Sequence, residues 1–210
     1  MRHTILRFIT RHYGRRLRKY LKFNFPQMEK SICQEYPIRF ARCMSEVDMG
    51  DNSGCFVSYL NIFSGLAAYA LMRESGLSEA EGIAAYDEMC STLRELSRIL
   101  YRFADLLPNG YQLVVNSLLE DMTGAKAVCW DTELVENSDR MLTYKIHRCL
   151  YFDTCAAHGY PEFTRVFCTH DWYSLGTLRR HAKFVRYSTL GEGGDCCHDS
   201  IVRITRGNAL

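Results

Sequence analysis

Only four prolines occur in 210 residues, and no tract is of low complexity, which argues against an extended or disordered chain. No apolar run approaches the roughly 20 residues that a membrane-spanning helix needs. No internal repeat is visible. Arg7 and Arg11 interrupt any apolar stretch at the N-terminus, so the segment does not read as a secretory signal. Ten cysteines are present, yet none forms a Cys-x-x-Cys pair, the spacing that marks a zinc site most clearly. Residues 1–23 contain no acid at all.

Apolar residues make up 47% of the chain, enough for a real core in a protein of this length. The cysteines are irregularly spaced, and a chain of this size does not need disulfide staples. The expectation is a reduced, cytoplasmic protein in which most cysteines act as small buried hydrophobes. Formal charge is +2, but it is uneven: residues 1–23 hold eight Lys or Arg, leaving 18 basic against 24 acidic residues in the rest. The balance gives no reason to expect nucleic acid as a partner.

Residues 1–24 read as a basic amphipathic helix, with Ile5, Ile9, Tyr13, Leu17 and Tyr20 or Leu21 at helical spacing. Its stripe should dock on the rest of the protein or on a second copy, making a homo-oligomer through this helix one open arrangement. Membrane contact is disfavoured, since a single charged helix with no second anchor binds lipid only marginally. Residues 25–125 read as mostly helical. Ser45 to Gly54 is polar and turn-rich, and reads as a loop. "SEAE" offers a capping box with Ser78 as N-cap and Glu81 three residues on. Ile83, Tyr86, Met89, Leu93, Leu96, Leu100, Phe103 and Leu107 continue at helical spacing to Pro108, and read as core. No catalytic motif stands out in this half.

After Gly124 the pattern changes. "KAVCWDTELVE" and "RMLTYKIHR" are strand-like and joined by "NSD". Two short helices follow, the second beginning at Pro161. "AKFVRYSTL" and "CHDSIVRIT" are strand-like again, separated by "GEGGD". Residues 126–210 therefore read as a β-β-α-α-β-β unit, and the whole chain as an α+β protein with a mainly antiparallel sheet.

Polar chemistry gathers in this second half: Cys168, His170 and Asp171 in "FCTHD", and Cys196, Cys197, His198 and Asp199 after the glycine turn. These residue types could ligate zinc, although adjacent cysteines on a strand point to opposite faces. They could equally form a nucleophilic site, which needs a thiolate with a base or positive charge beside it. A third reading makes Cys168 and Cys197 buried packing residues and Asp171 a surface charge.

The order "CLYFDTCAAHGYPEFTRVFCTHD" then "TLGEGGDCCHD" resembles the L-2-amino-thiazoline-4-carboxylic acid hydrolase family. The likeness lies in Cys168 to Asp171, the turn Gly191 to Gly194, and Cys197, and covers about residues 126–204. One departure is plain: the Asp-Phe that follows the last cysteine in the family is His198-Asp199 here.

The resemblance implies a hydrolase that opens a small cyclic isothiourea bearing a carboxylate, giving a carbamoyl-cysteine. It implies Cys168 or Cys197 as nucleophile and Asp171 or His170 as base. His198 would stand in for the missing aspartate. Arg186 and Arg203 are candidates for the substrate carboxylate, because the guanidinium fork binds both oxygens. Gly193, Gly194 and Asp195 would present the glycine turn to the adduct. No cofactor is firmly implied, and a divalent metal such as zinc stays open. The alternative reading is a non-catalytic small-molecule- or metal-binding domain of the 4-vinyl reductase type.

Overall fold

The computed structural model describes residues 2–47 and 53–205. Among these lie seven α-helices and one four-stranded sheet. The helices are α1 (Arg2–Asn24), α2 (Pro26–Glu46), α3 (Phe56–Glu74), α4 (Glu79–Leu106), α5 (Gly110–Thr123), α6 (Leu150–Ala157) and α7 (Arg165–Leu175). The strands are β1 (Trp130–Asn137), β2 (Met141–Cys149), β3 (Ala182–Ser188) and β4 (Cys197–Arg203). All pairings are antiparallel, in the order β1-β2-β4-β3. The α+β reading and the β-β-α-α-β-β order both stand. Of the loop expected at 45–54, residues 48–52 lie outside the described residues, and Ser45 and Glu46 finish α2.

α3 is apolar on every side, which is why it is the central helix. Ile62, Phe63, Leu66, Tyr69 and Met72 are all buried, and α1, α2, α4 and α6 pack around it. α1 docks through Tyr13, Leu17 and Leu21, with Ile5 and Ile9 half-buried beside them. The expected stripe is therefore used within the chain. α3 and α4 approach closely through a reciprocal fit. Tyr86 lies on Gly65 and Tyr69 on Gly82, and a methyl group at either glycine would run into the facing ring. This contact holds the Tyr86 ring where the cavity described below begins.

α4 starts at the expected capping box: the Ser78 amide donates to Glu81 Oε2 (2.7 Å) and the Glu81 amide to Ser78 Oγ (3.3 Å). Its far end is tied to the sheet by Asp105. That carboxylate accepts the backbone N–H groups of Arg179, Arg180, His181 and Ala182 at 2.6–2.9 Å, setting where β3 begins. Burial works against the Asp105 charge, but the four N–H groups outweigh it and hold the carboxyl below its usual range.

Two expectations need correction. Cys55 and Cys129, 74 residues apart, are joined by a disulfide that ties the turn before α3 to the turn before β1. The all-reduced reading holds only for the other eight cysteines. Residues facing each other across two distant turns carry no local signal of pairing. The second correction concerns α4. Tyr86 and Met89 are buried as expected, but Leu93, Leu96, Leu100 and Phe103 are exposed. No described helix is long and apolar enough to cross a membrane.

Candidate active site

One face of the sheet packs on α5 and α7 through Tyr111, Val114, Leu142, Phe184, Leu175 and Ile201. Toward the end of β4 where Cys197 lies, that face separates from the helical half and leaves a cavity of about 430 Å³. Ser58 and Asn61 of α3, Tyr86 and Cys90 of α4, Tyr144 and Cys149 of β2, and Tyr151 line one part of it. Cys168, His170 and Asp171 of α7, Arg186 of β3, and Cys197 and Asp199 of β4 line the other. A second hollow of about 210 Å³ shares Tyr144, Trp130, His170 and Asp171 with it.

Strand alternation explains the set on β4: Cys197 and Asp199 are two apart and share a face, whereas His198 points the other way. Ile146 and Tyr144 of β2 lie opposite Cys197 and Asp199, and Arg186 of β3 lies opposite Asp199. The His198 ring instead stacks near Tyr187, at 4.5 Å between centroids.

Arg186 organises the polar end. Its Nε donates to Asp199 Oδ1 at 2.9 Å and its Nη2 to Oδ2 at 3.1 Å, a two-pronged pair. Nη1 donates to the Cys168 carbonyl at 2.6 Å, fastening α7 to β3. Nη2 also stands 3.7 Å from Asp171 Oδ2. Burial disfavours the Arg186 charge, but the bonds and charges of Asp199 and Asp171 more than restore it. Burial raises the Asp199 carboxyl, with Arg186 pulling it back.

Asp171 differs from Asp199. Its side chain keeps 63% of its surface accessible because it projects into the hollow, whereas that of Asp199 keeps 4%. The protein packed around the hollow pushes the Asp171 carboxyl up to about 6, with Arg186 opposing the shift and Asp199 adding to it, and the water that reaches most of the side chain screens that shift. The thiols are shifted away from reactivity. Burial pushes Cys168 up to about 12, and Cys197 and Cys149 up to about 11. At neutral pH their thiolate fraction is then about one in 10⁴ or less. Burial and the charge of Arg94 lower His170, leaving it a neutral imidazole at neutral pH.

The residues singled out from sequence fall into two groups. Cys168, His170, Asp171, Arg186 and Cys197 line the one cavity. His198, Arg203, Gly193, Gly194 and Asp195 do not. Arg203 shares the Cys197 face but lies six residues along β4, about 20 Å away, over the Tyr111 ring. Gly193 and Asp195 are exposed. The glycine turn acts from behind: Gly191 packs on Cys168 Sγ, and the Leu190 amide donates to Cys197 Sγ at 3.4 Å. Gly193 takes a left-handed backbone, φ +86°, which suits glycine. Asp199 is the principal residue that the motif-based reading passed over. Counting two along from Cys197 would have found it. Among the described residues, no group of three or more His, Cys, Asp or Glu side chains converges to hold a metal.

A sequence model of the L-2-amino-thiazoline-4-carboxylic acid hydrolase family matches residues 60–199. The match begins at Leu60, within the central helix α3, so it takes in much of the helical half as well as the sheet. It ends on Asp199 and spans the cavity-lining residues of β2, α7, β3 and β4. No curated protein and no solved structure matches the chain. By the extent of that match, two thirds of its length, the chain belongs to the L-2-amino-thiazoline-4-carboxylic acid hydrolase family.

Proposed function

We propose that this protein hydrolyses a small cyclic isothiourea such as 2-amino-thiazoline-4-carboxylate, opening the ring to a carbamoyl-cysteine. One observation carries the reading beyond the family name: Asp171 presents an accessible carboxylate to the open side of the cavity beside Arg186, with its pKa raised to about 6. A base that titrates just below neutrality is ionised at working pH and still takes up a proton readily.

In this reading Asp171 takes a proton from water as the water oxygen bonds to the ring carbon between sulfur and nitrogen. The electron pair of the C=N bond moves onto nitrogen. The adduct then collapses with cleavage of the ring C–S or C–N bond, and Asp171 returns its proton to the departing atom. The remaining hydroxyl proton passes to the nitrogen that took up the C=N electron pair as the carbonyl of the carbamoyl group forms. Arg186 is the cation beside Asp171 and holds Asp199 in place through two bonds. Its fork is already closed on Asp199, so it serves as a strut and a local positive charge rather than a two-pronged carboxylate clamp. Lys126 also lines the cavity, paired with Asp121 at 2.7 Å, and supplies a second positive charge for a substrate carboxylate. Cys168 and Cys197, held as thiols, act as walls and weak donors rather than nucleophiles.

The test is a ring-opening assay of the purified protein on a panel of thiazolines, with product identified by mass spectrometry. Turnover that Asp171→Asn lowers by about 10²-fold or more supports the proposal. Saturable binding without turnover of any member would replace it with the non-catalytic binder.

A further inference from the structure

The outer face of α4 carries an exposed apolar patch at the upper end of what a monomer ordinarily shows. Leu93, Leu96, Ile99, Leu100, Phe103 and Leu106 are 44–62% exposed, and Leu113 of α5 extends the patch at 37%. Their exposed fractions leave about 600 Å² of apolar surface, the upper limit for the largest patch on a typical monomer. Among the described residues nothing covers it.

We infer that this face is a two-fold interface between two copies of this chain. The pattern itself carries the argument, because the six α4 residues are symmetric about the point between Ile99 and Leu100. Leu93 mirrors Leu106, Leu96 mirrors Phe103, and Ile99 mirrors Leu100. A two-fold axis through that midpoint sets two copies of α4 antiparallel, with each residue against its mirror image. An isologous interface requires that self-complementarity. The seam is about 20 Å long at 1.5 Å per residue. With both copies counted, about 1,200 Å² is buried, the lower end of the range for stable specific interfaces.

The flanks are polar and of mixed sign: Arg98 is bonded to Glu95, and Arg102 is exposed. That rim suits a protein interface and lacks the one-sided positive charge of a lipid-binding helix. Leu93 also lines the cavity, so the seam runs along its rim. The stripe of α1, by contrast, is already used inside the chain.

Light scattering on a sizing column, run on the full chain at tens of micromolar, tests this. The wild type should show twice the 24.3 kDa chain mass, and Leu96→Glu with Leu100→Glu should halve it with helicity unchanged. A monomeric wild type overturns the proposal and leaves the face to an unlike protein or a lipid surface. A variant that stays dimeric overturns it too. Should the double variant fail to fold, chains carrying Leu93→Cys are mixed with chains carrying Leu106→Cys and treated with a short bismaleimide. Peptides joined through positions 93 and 106 are expected; links between two copies of position 93 in equal yield would refute the antiparallel seam.

Discussion

Asp171→Asn should raise stability and abolish activity together. The substitution keeps the shape of the side chain and removes a charge that the cavity holds at a cost. The sign follows from proton linkage. A carboxyl of pKa about 6 in the folded state and about 3.9 in the unfolded chain makes the folded state the better proton binder between those values. Folding stability therefore falls as pH rises from about 4 to about 6, and the penalty stays constant above that. Asparagine removes the slope. Arg186 loses one neighbouring charge but keeps its two bonds to Asp199. With 63% of the Asp171 surface open to the hollow, water screens the effect, so the gain is at most on the order of 1 kcal/mol. For a chain of this size that is about 2–4 °C in thermal midpoint. Thermal melts of both proteins from pH 4 to pH 8 are the assay, with ring opening measured alongside. The variant should melt higher at pH 7.5, match the wild type near pH 4, and lose about 10²- to 10⁴-fold in rate. A variant that is less stable at neutral pH and still active would refute the assignment of Asp171 as a strained base.

Asp199→Ala leaves the Arg186 guanidinium, 13% accessible, without its main partner, and should cost about 3–5 kcal/mol in urea unfolding. Cys197→Ser and Cys168→Ser should each lower turnover by no more than about tenfold, the scale of one weak contact. Cys196→Ser and His198→Ala, both outside the cavity, should leave it unchanged, and a Cys197→Ser loss as deep as that of Asp171→Asn would return the thiol to the role of nucleophile. Thiol titration of the denatured, unreduced protein should find eight groups and not ten, and replacing both Cys55 and Cys129 by alanine should cost about 4 kcal/mol for a loop of 74 residues.

What the sequence disclosed follows from how local each signal is. The Ser78–Glu81 capping box and the hairpin between β1 and β2 depend on residues a few positions apart, and both appear in place, whereas Pro161, expected to open the second short helix, opens a 3₁₀ turn and α7 starts at Arg165. The Cys55–Cys129 bond depends on two turns meeting across the fold, which no spacing announces. Periodicity showed that α4 has an apolar stripe, but not that its C-terminal half turns away from the chain's own core. Alternation fixes which face of β4 a residue takes and not how far along it the cavity reaches. Arg203 therefore looked as suitable as Arg186. The same rule would have selected Asp199 over His198, had the count started from Cys197 instead of from the family's Asp-Phe.

The pH dependence of kcat/KM for ring opening by the wild-type protein tests the central claim most directly. The account predicts a rate that rises through an apparent pKa of about 6 and is flat across neutrality, as water activation by Asp171 requires. A rate still climbing about tenfold per pH unit above pH 8 would mark a thiolate drawn from cysteines held at about 11 to 12, and would contradict it.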